Sequence, residues 1–179
     1  NEINKTKQFY QHFNSITIQD DFIYVLSPKL RNQFENDLEL NNDKLSIIYI
    51  YDINFQFIYK IELQDYFCHS LVIKGSKIYY LTANSELKYY DLIHKKSILV
   101  FQYIDNDNLH SHRKITRGLS IIDNDFTFGI SYYNEIKTKF FNYIIQYNDI
   151  HKNYKLYNIS LNNTICMITS TKFGIDYNH

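Results

Sequence analysis

Tryptophan is absent from this chain of 179 residues, and proline (one), methionine (one), cysteine (two) and glycine (four) are scarce. So little glycine and proline excludes collagen-like, linker and low-complexity behaviour, each of which needs those residues in bulk. Cys68 and Cys166 lie far apart inside apolar runs and form no CxxC pair. A disulfide scaffold and a zinc knuckle are therefore excluded, and both cysteines read as buried thiols. Net charge is missing too: 19 basic side chains stand against 19 acidic ones. That balance removes the electrostatic basis for nucleic acid or an anionic membrane as the main partner. No apolar run approaches the roughly 18 residues that read as a membrane span, and no basic stretch leads into an apolar core as a leader would. GxGxxG, GxxxxGK[ST] and GxSxG are all absent, so no cofactor loop and no hydrolase nucleophile elbow is indicated.

What the chain does hold is isoleucine and asparagine, together about a quarter of it, with 18 tyrosines and 13 phenylalanines. These residues share AT-rich codons, so the bias carries no function by itself. Its structural consequence is strand, because β-branched and aromatic side chains suit a pleated, half-buried surface. Apolar residues at 45% suffice for a core, and the length suits one domain or a piece of a larger one.

Internal repetition organises the chain. Residues 14–26 (NSITIQDDFIYVL) align without a gap on residues 69–81 (HSLVIKGSKIYYL), with five of 13 positions identical. A weaker third copy starts at Arg117-Gly118 and passes through Asp123-Asn124-Asp125 into Phe126-Thr127-Phe128. The starts are 55 and then 48 residues apart. After each comes an aromatic run closing on Tyr51-Asp52, Tyr90-Asp91 or Tyr147-Asn148, and then a further apolar segment at 55–63, 97–103 and 154–161. Alternation at period two in Lys60-Ile61-Glu62-Leu63 and Glu86-Leu87-Lys88-Tyr89 marks strands. Gln19-Asp20-Asp21, Lys74-Gly75-Ser76 and Asp123-Asn124-Asp125 mark hairpin turns. Each unit thus contains four short strands. Residues 28–44 read as a long connection with room for one helical turn, and residues 105–115 as a polar loop.

The repeated starts and the Tyr-Asp closures resemble a degenerate β-propeller, an all-β fold of four-stranded blades with about 40–50 residues each. The units would span 12–63, 67–103 and 115–161, with an incomplete fourth at 162–179, as one partial domain. Neither the Gly-His…Trp-Asp pattern of WD repeats nor the double glycine of kelch is present. The resemblance extends loosely to six-bladed families, including those similar to glutamine cyclotransferases. Three units do not close a ring, since propellers typically use four to eight blades. The open edge would then need cover from the remainder of a longer chain, a partner protein or a second copy. The early stop of the fourth unit and the start at Asn1 rather than Met favour the longer chain.

If the resemblance holds, the first strand of each unit borders a central channel, and His12, Asn14, His69 and Arg117 stand at its mouth. Imidazoles there could bind a metal or relay protons, and Arg117 could pair with a carboxylate or phosphate. Alternatively, these polar groups bond neighbouring backbone, as the start of a strand requires. His110 and His112, alternate residues of the polar loop, would face one side of an extended segment. The leading functional expectation is a binding or scaffold module that engages a protein or small polar ligand. The alternative is a propeller enzyme, a lyase, cyclase or hydrolase, built on the same cluster.

Overall fold

Period-two alternation decides the local structure, and its consequences are clearest in the middle of the chain. The structure, a computed structural model, describes residues 13–28, 45–104, 113–133 and 140–160. The connection 29–44, the loop residues 105–112, Cys166 and the expected fourth unit fall outside them.

Among the described residues twelve strands are formed: β1 (Ser15–Gln19), β2 (Phe22–Pro28), β3 (Leu45–Asp52), β4 (Phe57–Tyr66), β5 (His69–Lys74), β6 (Lys77–Leu81), β7 (Glu86–Asp91), β8 (Lys96–Gln102), β9 (Arg113–Ile122), β10 (Asp125–Tyr133), β11 (Phe140–Asn148) and β12 (Asn153–Ile159). They make three antiparallel four-stranded sheets, each in chain order: β1-β2-β3-β4, β5-β6-β7-β8 and β9-β10-β11-β12. The fold is all-β and propeller-like, as expected. Several strands run longer than the sequence reading. β2 takes in Pro28, expected in the connection, which has Ser46 opposite it. β4 continues to Tyr66, which pairs with Leu45. β9 begins at Arg113, inside the expected loop, because Arg113 has Tyr133 opposite it.

In β6 the side chains alternate between two cores. Ile78 and Tyr80 join Tyr24, Leu26, Ile48, Ile50, Ile61 and Leu63 of the first sheet. Tyr79 and Leu81 join Leu119, Phe126, Phe128, Ile130 and Ile145 of the third. The middle sheet is thus covered on both faces, which is why KIYYL reads as an unbroken apolar run after its lysine. The two interfaces differ in chemistry. The first is mostly aliphatic. The second is aromatic: Phe101 stacks on Tyr147 at 4.5 Å, and Tyr79 meets Phe126 at 5.2 Å. Such ring pairs add about 0.5–1.5 kcal/mol each beyond the area they bury.

Turn lengths repeat with the sheets. The first and second strands are joined by two residues in every sheet, and the third and fourth by four. Asp20 and Asp21 both take positive φ (50° and 64°), the signature of a type I′ hairpin. Gly75 (59°) and Asp123 (51°) do so at the first turn position of their sheets. The four-residue turns explain the Tyr-Asp closures, because the acid or amide ending each third strand caps the turn that follows. Asp52 Oδ1 accepts from Asn54 N and Gln56 N, Asp91 Oδ1 from Ile93 N and His94 N, and Asn148 Oδ1 from His151 N. Asp91 Oδ2 also lies 2.8 Å from His94 Nδ1. The His94 side chain, then the His94 and Ile93 amides, hold the Asp91 carboxyl down to about 2.

Replacing Phe128, fully buried between the second and third sheets, by alanine should cost about 3–5 kcal/mol in urea unfolding. Ile150→Ala, in an exposed turn, should stay within about 0.5 kcal/mol; equal losses would contradict this placement of the core. Because the Asp91 carboxyl titrates lower when folded, its contribution is present above about pH 4 and is lost as pH falls through about 2. Unfolding midpoints across that window should fall less steeply for Asp91→Asn than for the parent chain.

Candidate functional site

The first strands of the three sheets lie side by side, and side chains from one sheet reach the strand starts of the next. Asn14 Nδ2 donates to the Cys68 carbonyl at 2.8 Å. Ser15 Oγ accepts from Leu71 N, and Ser70 Oγ accepts from Gly118 N, both at 2.9 Å. These contacts have a local cause. Register shifts leave Ser70 as the extra residue of β5 and Gly118 as that of β9, with φ of 61° and 68°. Such β-bulges disrupt the ladder locally, and the serine of the preceding sheet accepts a backbone N–H at the bulge or just after it.

A second series acts at the third strands. Counting back six residues from Asp52, Asp91 and Asn148 gives Ser46, Ser85 and Asn142, all fully buried. Ser46 Oγ accepts from Cys68 N at 3.0 Å, and Ser85 Oγ is 3.1 Å from Thr116 Oγ1. Both reach the next sheet. Asn142 Oδ1 accepts from Ser131 Oγ at 2.7 Å within its own sheet.

All these contacts lie at one end of the sheets, the end where first strands begin. The meander places the β2–β3, β8–β9 and β10–β11 connections there, with sixteen, ten and six residues between the strands they join. Among the described residues the opposite end carries the two- and four-residue turns, and there Lys74 Nζ donates to the Asp123 carbonyl of the third sheet.

Of the residues singled out in the sequence, three are described. Asn14 is half-buried and committed to the neighbouring backbone, the structural alternative of the sequence reading. His69 is half-buried and pairs with Leu81 at the start of β5. Arg117 is half-buried opposite Gly129, and its Nε is buried with no hydrogen-bond partner. The links Asn14–Cys68 and Ser70–Gly118 connect neighbouring first strands, with Asn14 just before β1, His69 at the start of β5 and Arg117 in the middle of β9 beside its bulge. His12, His110 and His112 lie outside the described residues. Among the described residues no three His, Cys, Asp or Glu side chains converge as metal ligands.

Sequence reasoning missed a charged cluster at the same end, between the first and second sheets. Lys88 Nζ lies 2.5 Å from Asp65 Oδ1 and 3.2 Å from Glu86 Oε2. Tyr80 Oη donates to Asp65 Oδ2 at 2.8 Å, and Thr82 Oγ1 donates to Glu86 Oε2 at 2.8 Å. Burial opposes the Lys88 charge, but Asp65 and then Glu86 outweigh it, and its pKa is raised. Burial first, and the nearby Asp65 charge, raise the Tyr80 phenol. Cys68 beside them is pushed up to about 12, chiefly by burial. Such a thiol is no nucleophile at neutral pH. The cluster joins two sheets and sets two carboxylates against one ammonium. The one sequence signal for it is the alternation of Glu86 and Lys88 on a single strand face.

Neither a family model nor a curated protein matches the chain. Solved structures do. The chain is similar to the GH43 BlXynB protein from Bacillus licheniformis, with a TM-score of 0.51 and 9% identity over 78% of this chain and 28% of that one. It is also similar to a europium-containing methanol dehydrogenase (TM-score 0.47, 10% identity, 83% of this chain and 26% of that one). A computationally designed protein, Ika4, gives a TM-score of 0.43 at 9% identity, covering 86% of this chain and 95% of its own. The chain spans little more than a quarter of the GH43 protein. The likeness to that protein is one of fold, and the fold is propeller-like.

Replacing Ser70 separates its hydroxyl from its backbone. Ser70→Ala should lose about 1–2 kcal/mol by stranding the Gly118 N–H. Ser70→Gly should lose less, since glycine relieves about 1 kcal/mol of positive-φ strain. Equal losses in urea unfolding would refute the assigned roles.

Proposed function

We propose that this chain is a propeller-type binding module that engages a protein or a small polar ligand at the end where the first strands begin. The observation that carries the reading is the asymmetry of the connections: the long ones gather at that end, and the other is closed by short turns. Long connections on a rigid sheet scaffold are where recognition residues concentrate. Asn14 and Arg117 belong to the frame of this end. His69, with His12, His110 and His112, supplies its contact surface, with polar groups able to donate or accept. In this reading the units 12–63, 67–103 and 115–161 and the beginning of another at 162–179 form one domain, completed by further chain or by a partner. On the outward face of the first sheet Ile16 and Ile18 are 61% and 67% exposed while Val25 and Ile23 opposite them are buried, so the open apolar surface there is confined to the β1 edge.

Histidines at both ends make the test internally controlled. The chain is screened against a panel of soluble oligosaccharides and peptides by thermal shift. Hits should weaken by about tenfold or more in His69→Ala and in the double variant His110→Ala/His112→Ala. They should persist in His94→Ala and His151→Ala, which change the turn end. Dependence on His94 or His151, or on none of these, would refute the placement. Turnover of a hit would move the reading to the enzyme alternative.

A further inference from the structure

The first strands lie beside one another, so the outer edges of the three sheets are their fourth strands. Two of those edges are interrupted and one is not. The pairing of β4 with β3 shifts twice, with the extra residues on the β4 side, Ile58 among them. The pairing of β8 with β7 shifts once and leaves Val100 extra. Bulges of this kind bend an edge, and a bent edge is a poor template for a further strand. β12 pairs with β11 without a shift over all seven of its residues. It has no proline, its one charged residue is Lys155, and every residue from Asn153 to Asn158 is exposed. Tyr154, Leu156 and Tyr157 are 49%, 40% and 46% exposed, which puts open apolar area on both faces of the strand. Its position is fixed from one side, because Tyr154 meets Phe101 and Tyr103 of the second sheet at 5.3 and 6.0 Å. Of the fourth strands, β12 alone is thus a regular, held edge.

We propose that β12 is a self-association edge, on which a second copy of this chain adds its own β12 antiparallel and joins two four-stranded sheets into one of eight. The strand itself identifies the occupant. A two-fold axis between antiparallel edges sets one residue opposite itself, and the register that pairs all seven residues of β12 centres on Leu156. Leu156 then faces Leu156, Lys155 faces Tyr157, Tyr154 faces Asn158 and Asn153 faces Ile159. Leucines meet at the axis, each ammonium meets a ring, and no like charges are opposed. An axis at Lys155 would instead set two ammonium groups face to face, which destabilises a strand pair. Pairing removes the free β12 edge of both copies together, so the assembly closes at two. Because the strands run antiparallel, the ends with the long connections point in opposite directions, and the pairing covers neither.

The test is sedimentation of the 179-residue chain over a concentration series, with hydrogen exchange of β12 measured in parallel. Seven paired residues make a small interface, so the expected Kd is on the order of 10 μM. Exchange in β12 should slow about tenfold from dilute to concentrated samples. Tyr157 supplies the deciding variants, because symmetry makes each substitution act twice and both variants remove the same bond to Gln146. Tyr157→Lys sets Lys155 against a second ammonium, and Tyr157→Glu sets it against a carboxylate. The glutamate variant should dimerise about tenfold more tightly than the lysine variant, and the gap should narrow in about 1 M salt. Exchange in β10 should stay that of the parent in both, as a check that they fold. Ile16→Lys, on the exposed edge of the first sheet, should leave association unchanged. Equal dissociation constants for the two Tyr157 variants would overturn the proposal, since any association would then use another surface. A monomer at about 1 mM would overturn it too. Fast β12 exchange in that monomer would leave the edge to a different chain, and protection at every dilution would assign its cover to this chain's own remaining residues.

Discussion

A strand sends successive side chains to opposite faces, and in β6 both faces are apolar. Ile78 and Tyr80 leave one side, Tyr79 and Leu81 the other. A sheet built around such a strand cannot face water on either side without exposing large apolar area. It must sit between two others, and the stacked arrangement follows from that requirement. The neighbours satisfy it differently: the first sheet offers branched aliphatic side chains, and the third offers rings. Phe101 is central to the second interface, contacting Phe128, Tyr147 and Tyr154. The tyrosine- and phenylalanine-rich composition is therefore used in the core whatever its origin in the codons.

Apolar contact alone does not fix how far one sheet slides along another, because the hydrophobic effect is non-directional. Directional bonds do that here. Ser15, Ser46, Ser70, Ser85 and Asn14 hold successive sheets at one end, and Lys74 to Asp123 holds the second and third at the other. Bulge and serine act as a pair across each interface. The bulge perturbs the ladder around one N–H of a first strand, and the preceding sheet supplies a hydroxyl oxygen to that N–H.

Much of this architecture was legible in the sequence. The gapless match of residues 14–26 to 69–81 corresponds to two hairpins of the same form, and the weaker third start at Arg117-Gly118 marks β9. Ser70 aligns with Gly118, and each is the positive-φ bulge residue of its strand; the alignment marked the position but not the bulge. The Tyr-Asp closures were visible as landmarks, but not as caps. Two features were illegible for physical reasons. Ser46, Ser85 and Asn142 recur at a fixed distance from the turn residues, yet short polar residues in apolar runs carry no signal until their partners on another sheet are known. The Asp65–Lys88–Glu86 cluster joins residues of separate units, and period-two alternation says only that Glu86 and Lys88 share a face.

The candidate site shows the same division. Position along the repeat placed Asn14 just before β1 and His69 at the start of β5, but Arg117 falls in the middle of β9, because that strand begins four residues earlier, at Arg113. Position was not enough to separate their roles, because the role depends on what each side chain meets across the gap to the next sheet. Asn14 meets a carbonyl and becomes structural. Arg117 occupies the corresponding position on a sheet whose outward face has lost its tyrosine and leucine to threonine and glycine. The same count from the turn thus puts Asn14 ahead of an unbulged strand and Arg117 inside a bulged one, and the local backbone and neighbouring surface decide what each meets. The end of the molecule where long connections gather is defined by the repeat, and its contact chemistry by the residues in which the units differ.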